Sequence, residues 1–336
     1  MKIGIVNDVP MVVEILRRAL AEHPAHQLIW VAQDGVQAAE MCAWQLPDVV
    51  LMDIIMPNVD GAEATRRIMQ KTPCPILLVT ADISANAVKV YEALGHGALD
   101  VVTTPVMTGG NFQQGAAALI AKIEKVARMS KKVEAPAPVH KPAVIREADP
   151  STKLVVIGAS AGGPAALAEL LRGLPADFPA AVVIVQHINP AFVDGMADWL
   201  QQQTALRVRV AKEGDQPLSG TVFIAGTNQH LLIKNRDVLG YVPESPQDIY
   251  HPSIDVLFHS VVQQWQGKAV GVLLTGMGRD GALGLKAMHN HKYHTIVQDQ
   301  ESSSVYCMPK AAAALNAATD ILPVSAIAQK LVHLFN

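Results

Sequence analysis

The stretch "VVIGASAGGP", residues 155–164, decides how the larger half of the chain is read. An apolar run rich in β-branched residues ends at Gly158, and Ser160 stands two residues on, ahead of Gly162 and Gly163. A strand that runs into small residues in this way enters either a glycine loop that cradles phosphate or a tight turn that presents a nucleophilic serine. A dinucleotide loop needs glycine at its second position, where backbone meets pyrophosphate, and an acid further on for the ribose hydroxyls. Here the second position is Ser160, and the next strand, "AAVVIVQHI" (180–188), ends in His187. Both requirements fail. Gly158, Ser160 and Gly162 fit instead the sharp strand-to-helix turn that exposes a hydroxyl at a sheet edge.

Alone, Ser160 is equally a helix cap. Its company gives it chemistry: His187 ends the next strand, and Asp280 lies in "LLTGMGRDGA" (273–282), just past the strand "AVGVLLT". An imidazole can take the serine proton, and a carboxylate can fix the tautomer and stabilise the imidazolium. His230 opens a hairpin strand and His259 lies inside the helical pattern "SIDVLFHSVVQQW", so neither stands at a carboxyl end; His187 is the better base. Asp280 between Gly278 and Gly281 also suits a helix cap, but "TGMGRDG" places free backbone N–H groups nearby, as an oxyanion site requires. The order Ser160, His187, Asp280 is not the Ser, Asp, His order of α/β-hydrolases, which points to another hydrolase scaffold.

Outward from this site the chain divides. Residues 129–150 form a proline-rich linker, which bounds one domain over 1–128 and another over 151–336. Before the linker, "KIGIVND", "LIWVA", "VVLMD", "PILLVTA" and "ALDVVTTP" alternate with helical patterns, which predicts a five-stranded parallel, flavodoxin-like sheet covered by helices. After it, "KLVVIGAS", "AAVVIVQHI", "LRVRVA", "TVFIAG", "AVGVLLTGM" and "HTIVQD" predict a doubly wound, mostly parallel sheet, and "HLLIKNRDVLGYV" a β-hairpin. A net charge of −3 gives no general attraction to nucleic acid, and no apolar run is long enough for membrane insertion. Cys42, Cys74 and Cys307 carry no disulfide or zinc spacing. The expectation is a cytoplasmic protein.

In the first domain Asp8, Asp53 and Thr80 each follow a strand, and clustered carboxylates suit a hard divalent cation such as Mg²⁺, whose charge lets a carboxylate attack a phosphoryl group. Any one such acid is usually a helix cap, but in "MDIIMP" Pro57 shapes the loop just after Asp53.

"GASAGGP", "VQHI", "HPSIDVLF", "LLTGMGRDGA" and "MPKAA" occur in this order, and together resemble the catalytic domain of the chemotaxis protein-glutamate methylesterase (CheB) family. The resemblance implies a triad of Ser160, His187 and Asp280, with the Met277 backbone N–H in the oxyanion site, hydrolysing glutamate γ-methyl esters on chemoreceptor helices without a cofactor and releasing methanol. Residues 1–128 resemble a response-regulator receiver. That resemblance implies phosphorylation of Asp53 by a chemotaxis-type histidine kinase, Mg²⁺ held by Asp8, Asp53 and the Ile55 carbonyl with Asn7 as a weaker outer ligand, and Thr80 as the switch hydroxyl. A receiver joined to the esterase implies gating by phosphorylation.

The chain departs from the two families at several positions. Ala161 stands where a threonine usually follows the serine, and Cys307 where a glycine precedes "MP". Thr104 stands in place of the receiver lysine, Val101 in place of the aromatic switch residue, and Asn7 in place of one acid. Threonine hydrogen-bonds a phosphoryl oxygen without neutralising it, which favours a rival reading, a phosphoryl-accepting regulatory scaffold with weak esterase activity. "NDVP", "GHGALDVV" and the "TTP" ending are most similar to the Wsp surface-sensing branch of the methylesterase family. Deamidation of glutamine by the same site stays open.

Overall fold

The central strands are buried on both faces, which is why they read as unbroken apolar runs rather than as alternating patterns. The computed structural model describes residues 1–82, 85–106, 111–129, 152–235, 237–245 and 249–336. The chain divides into two compact units, Met1–Ala137 and Pro138–Asn336. Of the expected linker, residues 130–150 lie outside the described residues.

The first unit runs β1 (Lys2–Val6), α1 (Pro10–Ala21), β2 (Gln27–Ala32), α2 (Gly35–Trp44), β3 (Val49–Met52), α3 (Gly61–Lys71), β4 (Ile76–Thr80), α4 (Ala87–Gly95), β5 (Asp100–Thr103) and α5 (Asn111–Met129). Its five strands pair in the order β2-β1-β3-β4-β5, all parallel, as the sequence predicts. Asp34 caps α2 through the Val36 and Gln37 N–H groups, and Asp60 caps α3 through that of Glu63. At the start of β5 the partly buried Asp100 takes Lys122 at 2.6 Å and Lys125 at 3.2 Å, which ties that strand to α5. The order reverses beside β1, so the crevice between the ends of β1 and β3 is the switch point where such sheets bind ligands.

The second unit runs β6 (Lys153–Ala159), α6 (Gly163–Arg172), β7 (Ala181–Gln186), α7 (Val193–Gln201), β8 (Arg207–Val210), β9 (Thr221–Ile224), β10 (His230–Lys234), β11 (Val238–Val242), α8 (Ile254–Gln264), β12 (Lys268–Leu273), α9 (Ala282–Asn290), β13 (His294–Gln298), α10 (Cys307–Ala314), β14 (Asp320–Leu322) and α11 (Val324–Phe335). Seven strands form one parallel sheet in the order β14-β13-β12-β6-β7-β9-β8, and β10 and β11 form the separate antiparallel hairpin. The three-residue β14 went unread in the sequence because an edge strand with exposed Ile321 lacks an apolar run. Leu257, Phe258 and Val261 of α8 are fully buried in the core, each side chain contributing roughly 1.5–3 kcal/mol. The first strand, β6, lies in the middle with β7 on one side and β12 on the other, which puts the ends of these three together at the second switch point.

Candidate active site and phosphoacceptor site

Ser160 leaves β6 one residue beyond the last ladder pair, Ala159 with Gln186, and His187 leaves β7 at the matching place. The turn after the serine closes with Gly162 at φ +75°, a left-handed conformation that glycine adopts without strain. Pro164 then sits in the first turn of α6. The Ser160 N–H donates to the Thr275 carbonyl at 3.0 Å, and its carbonyl accepts from the Gly163 N–H at 2.8 Å. On the β12 side Gly276 is obligatory, since a Cβ there would stand 2.8 Å from that of Ser160 and 2.2 Å from the Met308 sulfur. The serine is nearly buried, at 8% exposure, and its Oγ has no hydrogen-bond partner among the described residues.

His187 Nε2 lies 2.8 Å from Asp280 Oδ2. Asp280 stands at the start of α9, yet its oxygens meet the beginning of α8: Oδ2 accepts the Ile254 N–H at 2.7 Å, and Oδ1 accepts the Ser253 hydroxyl at 2.9 Å and the Asp255 N–H at 3.0 Å. Oδ1 also accepts the Gly281 N–H at 3.0 Å, but Gly281 is itself the N-cap of α9, which has no side-chain cap hydrogen bond, so Asp280 serves the start of α8 rather than the helix that follows it. Burial pushes this carboxyl upward, but the hydrogen bonds from His187 and from the helix N–H groups outweigh it and hold the pKa below the ordinary carboxylate value. An ionised Asp280 accepts, so Nε2 carries the proton and Nδ1 has the lone pair.

Side chains with no role expected from the sequence complete the site. Tyr250 stacks on the His187 ring, centroids 5.2 Å apart and planes within 5°, and its hydroxyl accepts the Arg279 N–H at 3.3 Å. Gln186 donates to the carbonyls of Ser160 and His187. The Thr275 hydroxyl donates to the Ala161 carbonyl at 3.0 Å, which fixes the backbone just after the serine. His230, a rejected candidate for the base, accepts the Ser253 N–H on Nδ1 at 3.0 Å and so braces the segment that holds Asp280. Ser253 and Gln186 lie inside the motifs "HPSIDVLF" and "VQHI"; for Tyr250 no pattern in the sequence signals a stack on an imidazole. The Met277 N–H makes no hydrogen bond among the described residues. Cys307 is exposed at the first position of α10, directly after the bridge of Tyr306 with Gly276.

In the first unit Asp53 is half-buried beyond β3, accepting the Ile54 N–H at 2.7 Å, the Ile55 N–H at 3.4 Å and the Asn7 amide at 2.8 Å. Burial, with a smaller contribution from the charge of Asp8, pushes its pKa up to about 6 against these hydrogen bonds. Asp8 is exposed beyond β1. Thr80 is buried at the end of β4, its hydroxyl accepting from Asn86 at 3.3 Å, and its carbonyl accepts the Thr104 N–H at 3.0 Å. The Asn7 amide nitrogen faces Asp53, and its oxygen accepts the Val9 N–H at 2.9 Å. An amide can donate to a carboxylate where an acid would repel it.

Among the described residues no three His, Cys, Asp or Glu side chains converge on a metal position. Mg²⁺ needs only one or two carboxylates because it keeps several waters, and two acids with no ion-pair partner among the described residues fit that demand. No helix among the described residues is long and apolar enough to cross a membrane.

Residues 155–331 match the family model described as CheB methylesterase, and residues 3–133 match that of the response regulator receiver domain. A protein-glutamate methylesterase/protein-glutamine glutaminase of group 3 operon from Pseudomonas putida is 54% identical over 335 residues, covering 100% of this chain and 99% of the relative. A protein-glutamate methylesterase/protein-glutamine glutaminase 1 from Cupriavidus pinatubonensis is also 54% identical, over 99% of this chain and 97% of the relative. The crystal structure of the Thermotoga maritima CheB methylesterase catalytic domain is 32% identical, with a TM-score of 0.53, over 54% of this chain and 98% of that one. A seven-stranded parallel sheet with a histidine–carboxylate pair beside a glycine-bounded serine, following a receiver sheet, agrees with these matches: the chain belongs to the CheB methylesterase family and carries a response regulator receiver domain ahead of its catalytic domain.

Proposed function

We propose that the protein is a protein-glutamate methylesterase, gated by phosphorylation of Asp53, that hydrolyses glutamate γ-methyl esters on the cytoplasmic helices of chemoreceptors. The observation that carries this reading is the His187–Asp280 pair at 2.8 Å beside Ser160. Ser160 Oγ attacks the ester carbonyl carbon while His187 Nδ1 takes its proton, and Asp280 stabilises the imidazolium through Nε2–H. The Met277 N–H donates to the oxyanion of the tetrahedral intermediate. Collapse expels methanol, protonated by His187, and leaves a glutamyl ester on Ser160. Water, deprotonated by the same imidazole, then releases the glutamate carboxylate and restores the serine. A glutamine side chain meets the same groups, with ammonia as the leaving group.

In the receiver, Asp53 accepts the phosphoryl group from a chemotaxis-type histidine kinase, and Thr80 and Thr104 hydrogen-bond its oxygens. Asp8, Asp53 and the Ile55 carbonyl would hold Mg²⁺, which would supply positive charge to offset the reacting oxygens. With Thr104 in place of a lysine, phosphorylation raises the esterase rate only modestly. Ser160-dependent methanol release from a methylated receptor fragment tests the reading. Phosphoryl uptake on Asp53 without such release would instead establish the phosphoryl-accepting scaffold.

A further inference from the structure

Gln186 is 3% exposed, and its amide group is spent in an uneven way. Nε2 donates to the Ser160 carbonyl at 2.8 Å and to the His187 carbonyl at 3.2 Å. Oε1 is buried with no hydrogen-bond partner and lies against Gly163, where a Cβ would come within 2.0 Å of it. Turning the amide over would set its oxygen against two carbonyl oxygens, so the donors fix its orientation. A buried acceptor without a partner lowers stability; a methionine of similar length would remove that orphan atom while withdrawing the donor from the His187 carbonyl, so its two effects on stability oppose one another. The sheet ladder between β6 and β7 ends at the pair of Ala159 with Gln186. Beyond it, the His187 N–H to Ala159 carbonyl bond of 3.0 Å is the last direct backbone link between the two strand ends.

We infer that Gln186 is a positioning residue, which clamps the Ser160 turn to the end of β7 and thereby sets the spacing between nucleophile and base. The inference rests on the catalytic reading of Ser160 and His187 given above. Donation from one NH₂ group to both carbonyls resists relative displacement of two residues that must approach within hydrogen-bond reach when the ester binds. Misplacement of a reacting group by an ångström is enough to cost about 100-fold in rate.

The test uses the full-length Gln186→Met, Gln186→Glu and Ser160→Ala variants. Each is assayed for turnover of a glutamyl methyl ester peptide, for the rate of Ser160 labelling by a fluorophosphonate, and for melting temperature. Gln186→Met is expected to stay folded and melt close to wild type, with kcat and labelling rate reduced about 10- to 100-fold and KM within about twofold. Gln186→Glu keeps the shape but donates only while its carboxyl is protonated, so its kcat relative to wild type should decline as pH rises. A folded Gln186→Met with wild-type kcat and labelling would overturn the inference. If Gln186→Met does not fold, a pH-independent kcat ratio for Gln186→Glu would overturn it instead. Turnover or labelling that persists in Ser160→Ala contradicts the serine mechanism itself and so separates the two failures.

Discussion

Asp53 and Asp280 both follow strands beside the switch points of doubly wound sheets, both are desolvated and both accept backbone N–H groups, yet burial raises the first while the second sits below the ordinary range. The difference lies in their charged company. Asp280 faces His187 and the start of α8, whereas Asp53 faces Asp8 and an uncharged amide from Asn7. One site is electrostatically complete within the polypeptide; the other leaves negative charge to be balanced by a cation and then by chemistry. A ready catalyst and a responsive switch can thus be built on the same topology by changing which charges meet at the crevice.

The largest effect should come from the complete site. Ser160→Ala should lower ester turnover by more than about 1,000-fold with an unchanged melting temperature, because a side chain without hydrogen-bond partners leaves no partner stranded. Turnover in single-cycle assays together with thermal unfolding checks both halves of this statement.

Asp280→Ala should be the variant that harms both chemistry and fold. It strands the N–H groups of Ile254, Asp255 and Gly281 and the Ser253 hydroxyl, a loss of roughly 2–4 kcal/mol. Asp280→Asn should keep more of the fold yet lose turnover, and its loss should not add to that of Ser160→Ala, since the residues act in one step. Additive losses in the double variant would separate them.

In the receiver the predicted effects are smaller and depend on pH. Asp53 is raised, so between about pH 4 and 6 the native state holds a proton that the unfolded chain has lost, and stability contributed by this group falls as pH rises through that window. The change is on the order of 1 kcal/mol once solvent screening is allowed for. Mg²⁺ binds the ionised form, so the rise in receiver melting temperature on adding Mg²⁺ should grow from pH 5 to pH 7.5, and Asp53→Asn should remove most of it. Calorimetry at the two pH values, with and without the ion, measures this directly.

The smallest expected change concerns Thr104, whose N–H joins the Thr80 carbonyl. Thr104→Lys should enlarge the increase in esterase rate on phosphorylation while the phosphorylated fraction stays similar. An unchanged or smaller increase would show that this receiver has rebuilt its switch around threonine.

The sequence made the strand ends legible because apolar runs of parallel strands stop where a polar residue is needed, and Ser160, His187, Asp8, Asp53 and Thr80 lie at or just past such stops, whereas Asp280 lies further along the loop from β12, at the start of α9. It was silent where the contact joins distant elements through a residue of ordinary type. Tyr250 reaches His187 from the segment before α8, and the capping of α8 by Asp280 spans more than twenty residues with no local signature. The orientation of Asn7 depends on the Val9 N–H and on Asp53, which no one-dimensional pattern displays. The short edge strand β14 escaped for a related reason, since half-exposed residues carry little periodicity.

The central claim is that a self-sufficient serine site answers to an aspartate that needs a cation. Methanol release from a methylated receptor fragment by the full-length chain, measured with Mg²⁺ and a small phosphodonor and again without the donor, tests it most directly. The account predicts Ser160-dependent release in both conditions, with a modest increase on phosphorylation that Asp53→Asn abolishes; no release, or an increase that persists in Asp53→Asn, would contradict it.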